Sequence, residues 1–334
     1  VVFDGGKLGA LQGDGTIIDL NLSYAAVLKD KGVTKPYAQA DSAVPSDLLA
    51  FIQKGEEGLK AGLEAIEHVK NKFTKGPKGD KLLYEAEEAK IEAPLPSLSS
   101  RIFMAGANFY DHAADVRSMF EGREVTKEEI KKQVEAGEHA PWGFWKFARN
   151  VIGPGEPIVY PERTERLDYE VEVAAIIGRK AKDAQYKEAM DYVYGYTMVL
   201  DMSLRDQPSD RGIFLAKNFD TSVPMGPCLV TADEIEDPHR LGMRLKVNGE
   251  VRQDGNQEDM IRGYPFWISQ LTRDMTLYPG DMICGGTCSG TALDTSPRDA
   301  QGRTKPDNFL KPGDLIEASV EGIGTITHKV VAKE

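Results

Sequence analysis

Two apolar runs that carry carboxylates at their ends constrain this chain more than anything else in its 334 residues: Glu170–Ile177, and Tyr194–Leu200 with Asp201 directly after it. Runs this rich in Val, Ile and Leu, bounded by turn signals, form strands that must be covered by other parts of the fold. In Asp168-Tyr169-Glu170-Val171-Glu172-Val173, strand alternation sets Glu170 and Glu172 on one face and Val171 and Val173 on the other. An edge strand with a wet acidic face would show the same Glu-x-Glu. Asp201 adds the constraint, because a lone carboxylate at the end of so apolar a strand is costly without a partner or an ion. Three hard oxygen donors suit an octahedral Mg²⁺, with Mn²⁺ as the alternative. Such a site leaves positions for water or for a substrate with adjacent carbonyl and carboxylate oxygens.

The organisation expected around these strands is mixed α/β and strand-dominated, in two parts. Residues 1–95 form a small N-terminal α+β accessory domain, with a strand at Thr16–Leu20 and an amphipathic helix over Ser46–Lys72. A turn-rich stretch at 74–80 and the extended Pro94-Leu95-Pro96 then lead into a strand beginning at Ile102, so residues 96–334 form the catalytic domain. Lys311-Pro312-Gly313-Asp314 and Tyr278-Pro279-Gly280-Asp281 mark turns between later strands. The densely charged 121–138 stretch reads as a solvated helix.

Charge bounds the partners. With 53 acids against 41 bases the net charge is −12, which disfavours nucleic acid and anionic membranes, and no apolar run is long enough to span a bilayer. Cys228, Cys284 and Cys288 lack metal-finger spacing and are odd in number, so they read as packing residues in a reducing cytoplasm. The opening Val1-Val2-Phe3-Asp4-Gly5-Gly6 has none of the character of a secretory signal, and a cytoplasmic location is expected.

Two further segments carry chemistry. In Gly106–Asp115, His112 and Asp115 are spaced to meet on one side of a helical turn, and an acid that orients an imidazole makes a general base. Ala216-Lys217-Asn218-Phe219-Asp220 reads as a motif rather than a charge run, which makes Lys217 a candidate site residue. Arg205 and Gln207 are candidates to face the substrate, and Thr287, in a run of small residues, is a candidate to donate a hydrogen bond to a substrate carboxylate.

Taken in order, Gly106–His112, Glu170/Glu172, Asp201 in Leu-Asp-Met-Ser-Leu-Arg-Asp, Lys217–Asp220, Pro224–Pro227, Val247–Glu250 and Tyr278–Asp281 resemble the fumarylacetoacetate hydrolase superfamily over the chain beyond residue 100. The resemblance implies a catalytic domain of rolled mixed β-sheet, a homodimer, a Mg²⁺ held by Glu170, Glu172 and Asp201, His112 with Asp115 positioning a water, and Lys217 as an active-site ammonium that stabilises developing negative charge and returns a proton. It further implies hydrolysis of a carbon–carbon bond in a 2,4-dioxo acid of the acylpyruvate type, or a related β-diketone. Decarboxylation, tautomerisation (isomerisation) or dehydration of a related 2-oxo acid is the alternative, since each passes through the same enolate. The chain departs from the family pattern at Asp115, where Glu is common, and at Cys284–Thr291, which replaces Thr-Gly-Thr-Pro. It also carries a longer 117–140 stretch, placed to fold over the site and shape a pocket with Phe120, Trp142 or Phe144.

Overall fold

The computed structural model describes residues 1–72, 75–207, 213–297 and 304–333. Every residue of the Val171–Ile177 strand is buried, and it pairs antiparallel with the equally buried Val193–Leu200, with Val171 opposite Leu200 and Val173 opposite Met198. These two strands are the middle of a seven-stranded mixed sheet. Outward from Val171–Ile177 run Met282–Cys284, Arg101–Gly106 and, at the edge, Trp142–Phe147; outward from Val193–Leu200 run Val223–Thr231 and Val151–Ile152. A second sheet of five strands takes the order Glu250–Asn256, Gly242–Val247, Leu315–Val320, Gly324–Ala332, Ile158–Tyr160.

Alternation decides what each face of the central strand touches. Val171, Val173 and Ala175 join Leu245, Ile316, Ala318 and Ile326 of the second sheet in the principal core. Ala174 and Ile176, with Val199, turn to the other side and pack with Leu8, Val44, Leu48, Phe51 and Ile52. Those residues come from an N-terminal unit with its own antiparallel five-stranded sheet, built from strands between Val2 and Glu92, and helices that include Leu20–Asp30 and Gly55–Lys72. The mixed, strand-dominated architecture expected from the sequence is therefore the one observed.

Local differences have physical causes. The helix expected over Ser46–Lys72 is two helices, Leu48–Gln53 and Gly55–Lys72, because the chain turns through a left-handed Gly55 (φ +55°). The strand at Thr16 ends at Asp19, whose carboxylate accepts the Leu22 N–H at 3.0 Å and starts the next helix. Within the charged stretch, Lys127–Glu135 is helical behind a Thr126/Glu129 capping box, and its fully buried Ile130 packs with Ala113 and Ile261. The helix is thus docked on one side rather than solvated all round. All three cysteines are buried and free, and among the described residues no helix is long and apolar enough to cross a membrane.

Candidate active site

Glu170 and Glu172 lie on the face of the central strand that also carries Ala174 and Ile176, just beyond the part covered by the N-terminal unit. Asp201 follows the neighbouring strand, and its N–H donates to the Glu170 carbonyl at 2.8 Å, which pins the two strand ends together. One carboxylate oxygen from each of Glu170, Glu172 and Asp201 lies within 4.8 Å of the other two, and all three residues are buried. The sequence-predicted cluster is therefore assembled.

The charges around it are unequal. Lys217 Nζ donates to Glu170 Oε2 at 2.7 Å and to Asp201 Oδ2 at 2.6 Å. Arg205 donates from Nε to Asp168 at 2.8 Å and from Nη2 to Glu170. Burial alone would raise the Glu170 pKa, but Arg205, Lys217 and His112 hold it well below the usual carboxylate range. Glu172 goes the opposite way: burial and the neighbouring charges of Asp201 and Glu170 push it well above that range, and it accepts the Gly286 N–H at 2.9 Å. Asp201 is also raised, chiefly by burial. A crowded set of hard oxygen donors, one of them driven toward protonation by burial and by its two neighbours, is suited to a divalent cation.

His112 is buried in the Tyr110–Glu121 helix, and its Nε2 lies 4.0 Å from Glu170 Oε1. Its other ring nitrogen, Nδ1, pairs with Asp294 Oδ2 at 3.0 Å. Burial lowers the imidazole pKa, but the Asp294 and Glu170 carboxylates outweigh it and the net shift is upward. The acid that orients the imidazole is thus Asp294 and not the expected Asp115. Asp115 instead accepts from the Ser289 hydroxyl, while the ring nitrogen is held by Asp294, brought in from a distant part of the chain. Asp294 is fixed in turn by Gly290 and Thr291 N–H groups at 3.2 and 3.1 Å.

The remaining candidates divide. Lys217 and Arg205 line one cavity of about 430 Å³ with His112 and the three carboxylates. Gln207 also lines it, while its side-chain amide donates to the Arg163 carbonyl at 2.7 Å. Thr287 reaches the cavity too, but its one hydroxyl proton goes to the Val171 carbonyl at 2.9 Å and its oxygen accepts from Gln253 at 2.8 Å. Its hydroxyl therefore braces the strand that carries Glu170 and Glu172 and has no proton left to donate to a substrate, contrary to the expected role.

Sequence reasoning missed three contributors. Lys146, fully buried, donates to Asp201 Oδ1 at 2.5 Å and to the Met202 carbonyl at 3.0 Å. Its signal was a lysine in phase with the aromatic Trp142 and Phe144 along one strand. Asp294 gave only the Thr291-x-x-Asp294 capping pattern. Asp168, completely buried, receives Arg205 and the Ala292 and Leu293 N–H groups at 2.7 and 3.1 Å, so it ties the Asp294 segment to the strand that carries Glu170 and Glu172.

Comparison with known proteins agrees with this geometry. The sequence profile of the fumarylacetoacetate (FAA) hydrolase C-terminal family matches residues 101–331. The chain is 34% identical over 291 residues to the oxaloacetate tautomerase YisK of Bacillus subtilis, covering 86% of this chain and 87% of that protein. It is 32% identical to a mitochondrial oxaloacetate tautomerase, fahd2, of Xenopus laevis, over 96% of this chain and 84% of the relative. Among solved structures, a fumarylacetoacetate hydrolase from Exiguobacterium antarcticum superposes with a TM-score of 0.70 at 26% identity, covering 98% of this chain and 95% of that one. Maleylpyruvate hydrolase from Sphingobium sp. SYK-6, in complex with manganese(II) and pyruvate, gives 0.68 at 25% identity over 99% and 98%.

Proposed function

Since the chain belongs to the fumarylacetoacetate hydrolase family, we propose that it interconverts the keto and enol forms of a small anionic 2-oxo acid, with a divalent cation held by Glu170, Glu172 and Asp201. The observation that carries this reading is the buried Asp294–His112 pair facing Glu170, a proton carrier fixed beside the acidic cluster. Mg²⁺ or Mn²⁺ bound there would supply Lewis acidity toward the oxo-acid oxygens. The chain's own residues supply the rest. His112 Nε2 takes the proton from C3 as the C2=C3 bond forms, and returns it in the reverse direction, while Asp294 holds the Nδ1 proton and so fixes the tautomer. The Lys217 ammonium, already 2.6–2.7 Å from two carboxylates, stabilises the negative charge that develops on the C2 oxygen and exchanges a proton with it.

This choice reverses the order suggested by the motifs alone, which put carbon–carbon hydrolysis first. Tautomerisation needs a proton carrier and an oxyanion partner but no attacking water. The named tautomerases also share more sequence with this chain, 34% and 32%, than the maleylpyruvate hydrolase does at 25%. Hydrolysis remains the second reading, supported by that relative and by the ability of the same His112 to serve a water.

The test is to follow the enol absorbance of oxaloacetate with purified protein, with Mn²⁺ and after chelation, and to assay an acylpyruvate for carboxylic acid release. Metal-dependent acceleration of tautomerisation, reduced about 10²-fold or more in His112→Ala, is expected. Acylpyruvate cleavage without accelerated tautomerisation would return the assignment to hydrolysis.

A further inference from the structure

The cavity has two ends of different chemistry. The acidic end holds the three carboxylates with Lys217 and Arg205, both already engaged with Glu170. The outer end is aromatic. Lys217 Nζ stands 5.1 Å from the centroid of the Phe144 ring, and Phe144 stands 6.2 Å from Trp142 with their planes 33° apart. Phe120 lies at the mouth, 74% exposed, and Trp142 is 45% exposed although it faces the cavity.

The position of Trp142 is built into the sheet. Trp142 is paired across the strands with Gly106, and a Cβ on Gly106 would come within 2.5 Å of three indole carbons. The indole therefore lies directly on the strand backbone, in a place that no other residue at position 106 leaves open. The result is a fixed aromatic row leading away from the Lys217 ammonium, with apolar surface still uncovered at its outer end.

We propose that the site takes 2-oxo acids whose C3 substituent is a flat apolar group, arylpyruvates in chemical class, in preference to dicarboxylic oxo acids. The oxo-acid head occupies the acidic end and the ring lies along Phe144 and Trp142, covering surface that the free protein leaves to water. The inference rests on the tautomerase reading and names the substrate class for that same site.

The experiment compares phenylpyruvate and oxaloacetate as enol–keto substrates of the Mn²⁺-loaded protein, wild type, Trp142→Ala and Trp142→Phe. The expected result is a KM for phenylpyruvate about tenfold below that for oxaloacetate, with Trp142→Ala lowering the phenylpyruvate-to-oxaloacetate ratio of kcat/KM about tenfold and Trp142→Phe restoring most of it. Turnover of oxaloacetate with no preference for phenylpyruvate, or a ratio unmoved by Trp142→Ala, overturns the aromatic subsite and leaves the tautomerase reading standing. If neither acid is tautomerised, that reading falls, and equilibrium dialysis of phenylpyruvate decides the subsite. Saturable binding weakened by Trp142→Ala supports it, and absence of binding overturns it.

Discussion

At the scale of single residues, the centre depends on which acid holds His112. Asp294 accepts from Nδ1 at 3.0 Å and is itself locked by two backbone N–H groups, whereas Asp115 is engaged by Ser289. Asp294→Asn is expected to lower kcat by about 10–10²-fold and to flatten the pH profile attributed to His112, because the amide neither fixes the tautomer nor supports the imidazolium. Asp115→Asn should cost at least about tenfold less. Steady-state kinetics of the two variants across pH checks this, and equal losses would put Asp115 back beside the imidazole. The same comparison explains what the sequence could disclose. Glu170 and Glu172 were legible because a strand's period of two fixes their common face from local spacing alone. The Asp294 partnership spans 182 residues and depends on where a loop returns, which no local pattern encodes. Thr287 was legible as a site residue but not in its role, since the acceptor of its proton, Val171, is settled only by packing.

Among the elements, the Gly324–Ala332 strand carries a titratable group far from the chemistry. His328 is 1% exposed, donates Nδ1–H to the Glu156 carbonyl at 2.8 Å, and leaves Nε2 buried without a partner among the described residues. Burial holds its pKa below the ordinary imidazole value, because a second N–H on that ring would have nothing to bond. The folded state then binds fewer protons here than the unfolded chain. The stability contributed is fully present above the unfolded pKa, about 6.5, and is lost as pH falls through the depressed folded value. Denaturant titrations at pH 7.5 and 5.0 should therefore show a larger loss for wild type than for His328→Gln, which keeps a donor and cannot charge. Identical losses would remove His328 from the acid limb. The two central strands were legible as apolar runs bounded by turn signals, and a helix was legible within the charged 121–138 stretch, though this Gly324–Ala332 strand was not singled out. What escaped was the break at Gly55, since a helical pattern continues through it and only the left-handed backbone, φ +55°, reveals the turn.

For the whole molecule, one face of the seven-stranded sheet serves two purposes. Its residues in phase with Glu170 and Glu172 continue into Ala174 and Ile176, so the surface that presents the carboxylates becomes, a few residues along, the surface on which the N-terminal unit packs. Phe51 and Ile52 meet Ile102, Met104, Val199 and Cys284 in that shared core, and Phe51 is 6% exposed. A unit that contributes such side chains to the catalytic sheet's own core should not unfold by itself. Phe51→Ala is expected to cost about 3–5 kcal/mol, and the three tryptophans offer a clean reporter of where the cost is felt. Trp142, Trp145 and Trp267 all lie beyond the N-terminal unit, so their fluorescence follows the catalytic sheet region, while far-UV circular dichroism follows the whole chain. If the shared core couples the two, Phe51→Ala moves both denaturation curves to the same lower midpoint, because the sheet loses its cover when the N-terminal unit loses its anchor. A fluorescence midpoint left in place while the dichroism curve splits in two would mean that the site-bearing sheet holds its shape without that cover, and that the carboxylate cluster is kept together by the principal core alone.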